Sequence, residues 1–390
     1  MLNQILISLI ALALPTYLVR WTLFGVPTTL LELIIFGVFI VVMVQPESWR
    51  RLIPKLKNRT MWWVGLFVMA ALEGIVVAAD KTQALGAFKG WVLDPILVTL
   101  IILAQKDTVK IYRTVVVSLS ITSAAVALWS LVQSFGWLPY QLPYQLADPG
   151  FGNYLLGHRA IGPFESPNFL AMYLVPIFFL VLGLERKSVA GRVWRILSLF
   201  IVLGAIAATQ SIGGWLALAV GLMLVFRVQM KRISLKRTQI VIFWVGLVGL
   251  IICIGLLIPT RIESSLGPRI EIWRDAVTQA IHQPILGIGL RQYDIVLGNG
   301  QTHNHPHNLY LATWLYTGVI GLIASIVVIC RIFVRNRLRP NTGQWLTIAL
   351  VAILVHGLLD TTAWKNDLAV IFWLIISLSL LIDTKSLADN

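Results

Sequence analysis

The residues best suited to chemistry are three histidines at alternate positions, His303, His305 and His307, in the stretch QTHNHPHN that Asn308 closes. An apolar run begins at once and continues to Val334. Histidine is the side chain whose ordinary pKa lies nearest neutrality, so it can take or give a proton there. Three readings stand side by side. Alternation places the three rings on one side of an extended segment, where they could hold a metal. Catalytic zinc, however, usually takes ligands at helical spacing or from separate elements, commonly with a carboxylate. No HExxH occurs, and no acid lies between Asp294 and Asp360. The rings could instead cap the next helix or meet lipid headgroups. Alternatively, one of them is a general base where loop becomes helix. His307 is favoured for that role because it directly precedes Asn308 and the helix.

Arginines form the second set: Arg159 in HRAIGPFESPN, then Arg261, Arg269, Arg274 and Arg291. A guanidinium fork grips phosphate through two parallel hydrogen bonds and stays charged in a dry site. Acids lie near several of them (Glu165, Glu263, Glu271, Asp275), so ordinary surface ion pairs are the competing reading. Arg159 and Arg269 stand apart because each sits at a Gly/Pro turn feeding a helix.

The elements that carry these residues follow from composition. Of 390 residues, 58% are hydrophobic and 12% charged, where a soluble chain carries roughly 25% charged. Apolar stretches recur near 4–19, 27–44, 61–79, 88–104, 114–134, 167–184, 194–209, 211–226, 239–258, 309–330, 344–361 and 368–383. Runs of about 20 apolar residues span a bilayer as helices, whose backbone bonds are satisfied internally. The sequence therefore predicts an all-α integral membrane protein with about twelve transmembrane helices, residues 1–390 forming one polytopic domain. The first stretch has no Lys or Arg ahead of it and reads as an uncleaved membrane helix.

Lys and Arg gather in segments 45–60, 105–113, 185–195, 227–238 and 331–343, with Lys385 in the tail. All lie on one side if every stretch crosses, which puts both termini in the cytoplasm. The net charge of +14 is thus a topology signal, and no nucleic-acid partner is implied. Cys253 and Cys330 lie in segments of different depth, so no disulfide is expected. The opposite, extracytoplasmic side holds two long loops, 135–166 and 259–308. Loops of that length are usually functional or disordered. Within the second, between the ninth and tenth stretches, Ser264 or Ser265 could cap a short amphipathic helix. Its apolar stripe would be Ile270, Trp273, Val277, Ala280 and Ile281, lying on the membrane and ending near Pro284 before a Gly287–Gly289 turn. Six ionisable residues of the apolar stretches, Glu32, Glu73, Lys89, Asp94, His356 and Asp360, fall toward the outer face. They suggest a cavity open to the outer leaflet, or simple snorkelling to water.

Four blocks carry a resemblance: Arg159 with GPFESPNFLAMYL, then GPRIEIWRDAVTQAIHQPILGIGLRQY, HPHNLYLATWLYTGVIGL and HGLLDTTAWKNDLAVIFWL. Together they resemble the O-antigen ligase and polymerase family, whose ligase branch has the fold of polytopic C-type glycosyltransferases. The resemblance implies an inverting, metal-independent glycosyltransferase of the cytoplasmic membrane acting on its outer face, with no cofactor. The donor would be a glycan on undecaprenyl diphosphate. The acceptor would be a sugar hydroxyl, on a glycolipid for ligases or on another repeat unit for polymerases. By that analogy Arg159 and Arg269, with Arg291, hold the diphosphate. His307 activates the acceptor, His305 assists and Asn308 orients the loop. Asn168, Trp273, His356 and Asp360 support them. The chain has no DxD motif, and arginines can stabilise a diphosphate leaving group without one. A flippase for lipid-linked oligosaccharides is the alternative from another class. It predicts essential residues deeper in the bilayer.

Overall fold

The computed structural model describes residues 2–23, 26–137, 158–185, 188–230, 259–298, 300–337 and 341–381. The ninth apolar stretch, 239–258, lies outside them, as do Cys253, Lys385, most of loop 135–166 and several of the basic residues used to orient the chain. Each of the other apolar stretches is helical: α1 (Leu2–Ala13, extended by a 3-10 turn to Leu18), α2 (Leu30–Met43), α4 (Arg59–Val77), α5 and α6 (Lys81–Phe88 and Asp94–Leu103), α7 (Thr108–Ser134), α8 (Pro167–Leu182), α9 (Val189–Thr209), α10 (Ile212–Met230), α12 (Leu309–Arg337), α13 (Thr342–His356) and α14 (Asn366–Leu381). Among the described residues six helices are long and apolar enough to cross a membrane, with shorter apolar helices beside them. The chain is a helical, multi-pass membrane protein.

Several helices begin where side chains satisfy their first backbone N–H groups. Thr29 and Glu32 form a reciprocal capping box on α2. Ser166 caps α8 ahead of Pro167, whose missing N–H costs nothing there. Asn308 caps α12, its side-chain oxygen accepting from Tyr310 N and Leu311 N at 2.9 and 3.0 Å.

The fold is helical as expected, with two short hairpins besides: residues Arg20–Leu23 (β1) pair with Val26–Thr29 (β2), and Ile295–Val296 (β3) with Thr302–His303 (β4). Several expectations need correction. The basic segment 45–60 is no simple connection between spans but contains α3 (Pro46–Leu56), bent by 100° from α2. The fourth span starts at Lys81 rather than near 88, because a π turn over Lys89–Leu93 joins two helices into one run. Asp94 consequently lies well inside a span, fully buried, rather than at its outer end. Glu32 takes part in its cap and an ion pair 3.0 Å from Lys89, which explains its burial without a cavity. The amphipathic helix, α11, runs over Pro259–His282, so Ser264 and Ser265 fall inside it rather than at a cap. Its buried stripe is Ile272, Ala276 and Ala280, while Ile270 and Ile281 stay exposed. The stripe is rotated because the helix packs on the protein itself.

The connection after α11 locks onto α12. Gly287 and Gly289 adopt positive φ as the turn requires. The connection's backbone then crosses α12 at Gly318, which breaks the helix at φ 63. There Val319 N donates to Pro284 O at 2.9 Å and Ile288 N to Leu315 O at 2.8 Å, replacing the lost helical bonds. A Cβ on Gly318 would collide with the Ile285 carbonyl. Gly318→Ala is therefore expected to destabilise the protein by at least roughly 1–3 kcal/mol from backbone strain, read as a lower unfolding temperature in detergent. Gly37→Ala, in α2 with open space around it, should leave that temperature equal or higher.

Candidate active site

Four segments far apart in sequence meet at Asp360. The acid sits in the turn after α13, where Asp360 N donates to His356 O at 3.1 Å. Its own carboxylate accepts from Thr361 N at 2.9 Å. His307 Nδ1 lies 3.3 Å from Asp360 Oδ1, and His305 Nε2 lies 3.8 Å from the same oxygen. Asn168 Nδ2 donates to Asp360 Oδ2 at 3.3 Å, and Arg269 Nη2 is 3.9 Å from that oxygen. Arg159 Nη2 in turn donates to Asn168 Oδ1 at 3.4 Å. Both arginines are also held by backbone: Arg159 Nε donates to Thr209 O at 2.8 Å and Arg269 Nε to Leu359 O at 2.9 Å.

The loop that presents His307 is fixed on three sides. Asn308 Nδ2 donates to Leu358 O at 3.0 Å, Leu309 N donates to Gly357 O at 2.7 Å, and Trp273 Nε1 on α11 donates to His307 O at 3.3 Å. His307 itself has φ 45, a left-handed conformation uncommon for a side chain with a Cβ. Such strain persists only where surrounding structure over-determines it, and it gathers at functional sites. His356 is buried, and its ring lies against Gly213 on α10 so closely that a Cβ there would come within 2.5 Å of it.

Electrostatics separate the acid from its bases. Burial alone would raise the Asp360 carboxyl. The charge and hydrogen bond of His307, then His305 and Arg269, outweigh it and hold the group well below the ordinary carboxylate range. Burial pushes His305 well down, His307 adds to this, and the opposing pull of Asp360 is smaller. His303 is lowered by burial, then by His307 and Arg269. Near neutral pH the cluster thus holds an ionised Asp360 beside uncharged His303 and His305.

Of the predicted residues, the structure gathers Arg159, Asn168, Arg269, Trp273, His305, His307, Asn308, His356 and Asp360. Arg291 is not among them. It is exposed in a left-handed turn just after Leu290, whose N–H is tied to Gly74 O on α4. Among the described residues no contact joins it to the cluster. Glu165, expected as a neighbour of Arg159, instead pairs with Lys365 at 2.6 Å and Arg20 at 3.0 Å. The side chains of Arg261 and Glu263 lie outside the described residues. The three-histidine metal set does not assemble as such. The compact ligand group is His305, His307 and Asp360, with ligand atoms within 4.8 Å of one another. A guanidinium beside the same carboxylate disfavours a second cation there.

The resemblance gives His303 no role, yet its Nδ1 lies 3.3 Å from His307 Nε2. The alternating spacing hinted at this contact. The hairpin that delivers it, β3–β4, had no clear signal in so short a pair of strands.

The O-antigen ligase family model matches residues 197–326, a stretch that includes Arg269, Trp273, the three histidines and Asn308 but neither Arg159, Asn168 nor Asp360. Over 227 residues the chain is 28% identical to the ComP-specific O-oligosaccharyltransferase of Acinetobacter baylyi, covering 52% of this chain and 40% of that protein. It is 36% identical over 99 residues to the O-antigen ligase of Pseudomonas aeruginosa, covering 23% and 24% respectively. An uncharacterized protein of Haemophilus influenzae is 24% identical over 218 residues, covering 46% and 53%. The chain spans less than two thirds of the length of each of these relatives.

Proposed function

We propose that this chain, a protein of the O-antigen ligase family, transfers a glycan from undecaprenyl diphosphate to a sugar hydroxyl. The observation that carries the reading is the single network joining His307, Asp360, Asn168, Arg159 and Arg269. It unites a base with a fixed tautomer and two guanidinium groups suited to a diphosphate. The acceptor oxygen attacks the anomeric carbon as the bond to the diphosphate breaks. The leaving oxygen keeps the electron pair, and the acceptor proton passes to His307. A diphosphate is a good leaving group, so the protein needs only to stabilise its charge and position the nucleophile. A hydroxyl is far less acidic than imidazolium, which makes the proton transfer late and concerted with attack. Attack opposite the leaving group inverts the anomeric centre. No metal takes part, because the arginines supply the positive charge.

The topology proposed with this function has twelve spans in one polytopic domain of the cytoplasmic membrane. Both termini are cytoplasmic, and loops 135–166 and 259–308 with the site face outward. The basic segments along the sequence support that orientation.

The test is purified protein given a polyprenyl-diphosphate glycan and either a glycolipid or a free repeat unit as acceptor. Transfer with inverted configuration, surviving a strong chelator, is expected. Transfer to the glycolipid identifies a ligase, and extension of the repeat unit a polymerase. Glycan flipping in liposomes without any transfer sinks the enzyme reading. Loss of activity on chelation, restored by zinc, would move catalysis to a metal at His305, His307 and Asp360.

A further inference from the structure

The His307 ring is bonded at both nitrogens, and this fixes more than its orientation. An ionised carboxylate only accepts hydrogen bonds. His307 Nδ1 therefore carries the proton shared with Asp360, and in the uncharged ring, the form that can act as a base, Nε2 is the bare nitrogen. In that form His303 Nδ1, which lies 3.3 Å from the bare nitrogen, is the donor to it. The two rings meet edge to face, with centroids 5.4 Å apart. The lone pair that an acceptor hydroxyl needs is already filled by a side chain of the same protein.

We infer that His303 is a positioning residue that guards the base, occupying His307 Nε2 until an acceptor hydroxyl displaces it and so suppressing hydrolysis of the donor. The inference rests on the transferase reading. Its chemical logic is that water is small, abundant and as able as a sugar hydroxyl to give a proton to His307. If water did so, its oxygen would bond to the anomeric carbon, the diphosphate would leave with the bonding pair, and free glycan would be lost. A hydrogen-bonded imidazole raises the cost of a single water entering. A glycan, bound through many other contacts, can displace it.

The placement of His303 suits displacement. It ends β4, a two-residue strand paired only with β3, opposite Ile295. The hairpin is held at its base by buried Tyr293, whose hydroxyl donates to Ile272 O on α11 at 3.0 Å, and by buried Leu297. Its outer residues Val296, Gln301 and Thr302 are exposed. His307, by contrast, is fixed by Asp360 and the neighbouring backbone. Of the two rings, His303 is the less tied: its Nε2 has no hydrogen-bond partner among the described residues.

The experiment measures free and transferred glycan from the same donor with purified full-length protein, with and without acceptor. His303→Ala is expected to raise the ratio of hydrolysis to transfer by about tenfold, the scale of one hydrogen bond, and to release free glycan without acceptor. His303→Asn, whose amide nitrogen can take the place of Nδ1, should keep the wild-type ratio. If alanine fails to fold, as judged by thermal unfolding, His303→Val opens the same position with a side chain suited to a strand. An unchanged ratio in the opened variant overturns the guard. So does the joint loss of hydrolysis and transfer in a folded variant, or an asparagine variant that leaks as alanine does. A wild-type protein that neither transfers nor releases glycan defeats the transferase reading itself. Wild-type transfer with an unchanged alanine ratio defeats the guard alone.

Discussion

His307→Ala should lower turnover by about 10²–10⁴-fold, the usual contribution of a positioned general base, while donor binding is largely kept. The split follows from the geometry. On the proposed reading His307 Nε2 takes the acceptor proton, whereas the groups suited to a diphosphate are Arg159 and Arg269, on other segments. Because His307 sits at φ 45, alanine there carries backbone strain as well. Asparagine accepts that conformation more readily than most residues, so His307→Asn separates lost chemistry from lost loop geometry. Both variants should bind a polyprenyl diphosphate and fail to turn over. Full turnover in either would remove His307 from the mechanism.

Asp360→Asn should cost nearly as much, on the order of 10³–10⁴ in turnover, as when an amide replaces the carboxylate that orients a catalytic histidine. The side chain keeps its shape. Its amide can donate to His307 Nδ1, however, which moves the imidazole proton to Nε2 and leaves no lone pair for the acceptor. The same change removes the charge that Asn168 and Arg269 face at 3.3 and 3.9 Å. Asp360→Ala should add a loss of stability, because those half-buried groups then lack this partner. Steady-state kinetics read beside thermal unfolding distinguish the two. Since Asp360 is held well below the ordinary carboxylate range, its own protonation should contribute nothing to any fall in wild-type activity between pH 7 and about 5. Wild-type kinetics in a folded Asp360→Asn variant would show that His307 needs no partner.

The sequence by itself determined whatever depends on neighbouring residues and on solvent. Apolar runs of bilayer length make helices because no other backbone satisfies itself in lipid, and each run within the described residues is one. Asn308 before such a run is a cap, and Gly287 with Gly289 makes a turn, because each acts on backbone within a few residues. The same logic misplaced the start of the fourth span, since the π turn at Lys89–Leu93 is not written in hydropathy.

Tertiary structure decided which candidates meet. His307 and Asp360 are 53 residues apart, and Asn168 is 192 from Asp360. No spacing rule joins them until α8, α12 and α13 pack. Packing also set Arg291 outside the cluster, turned the buried face of α11 toward Ile272 and Ala276, and gave Glu165 to Lys365. The histidines show the division most clearly. Their alternation was legible, but alternation treats three rings alike. One carboxylate approaching from another segment makes them unequal: His307 meets it at 3.3 Å and His305 at 3.8 Å, while His303 meets His307 instead.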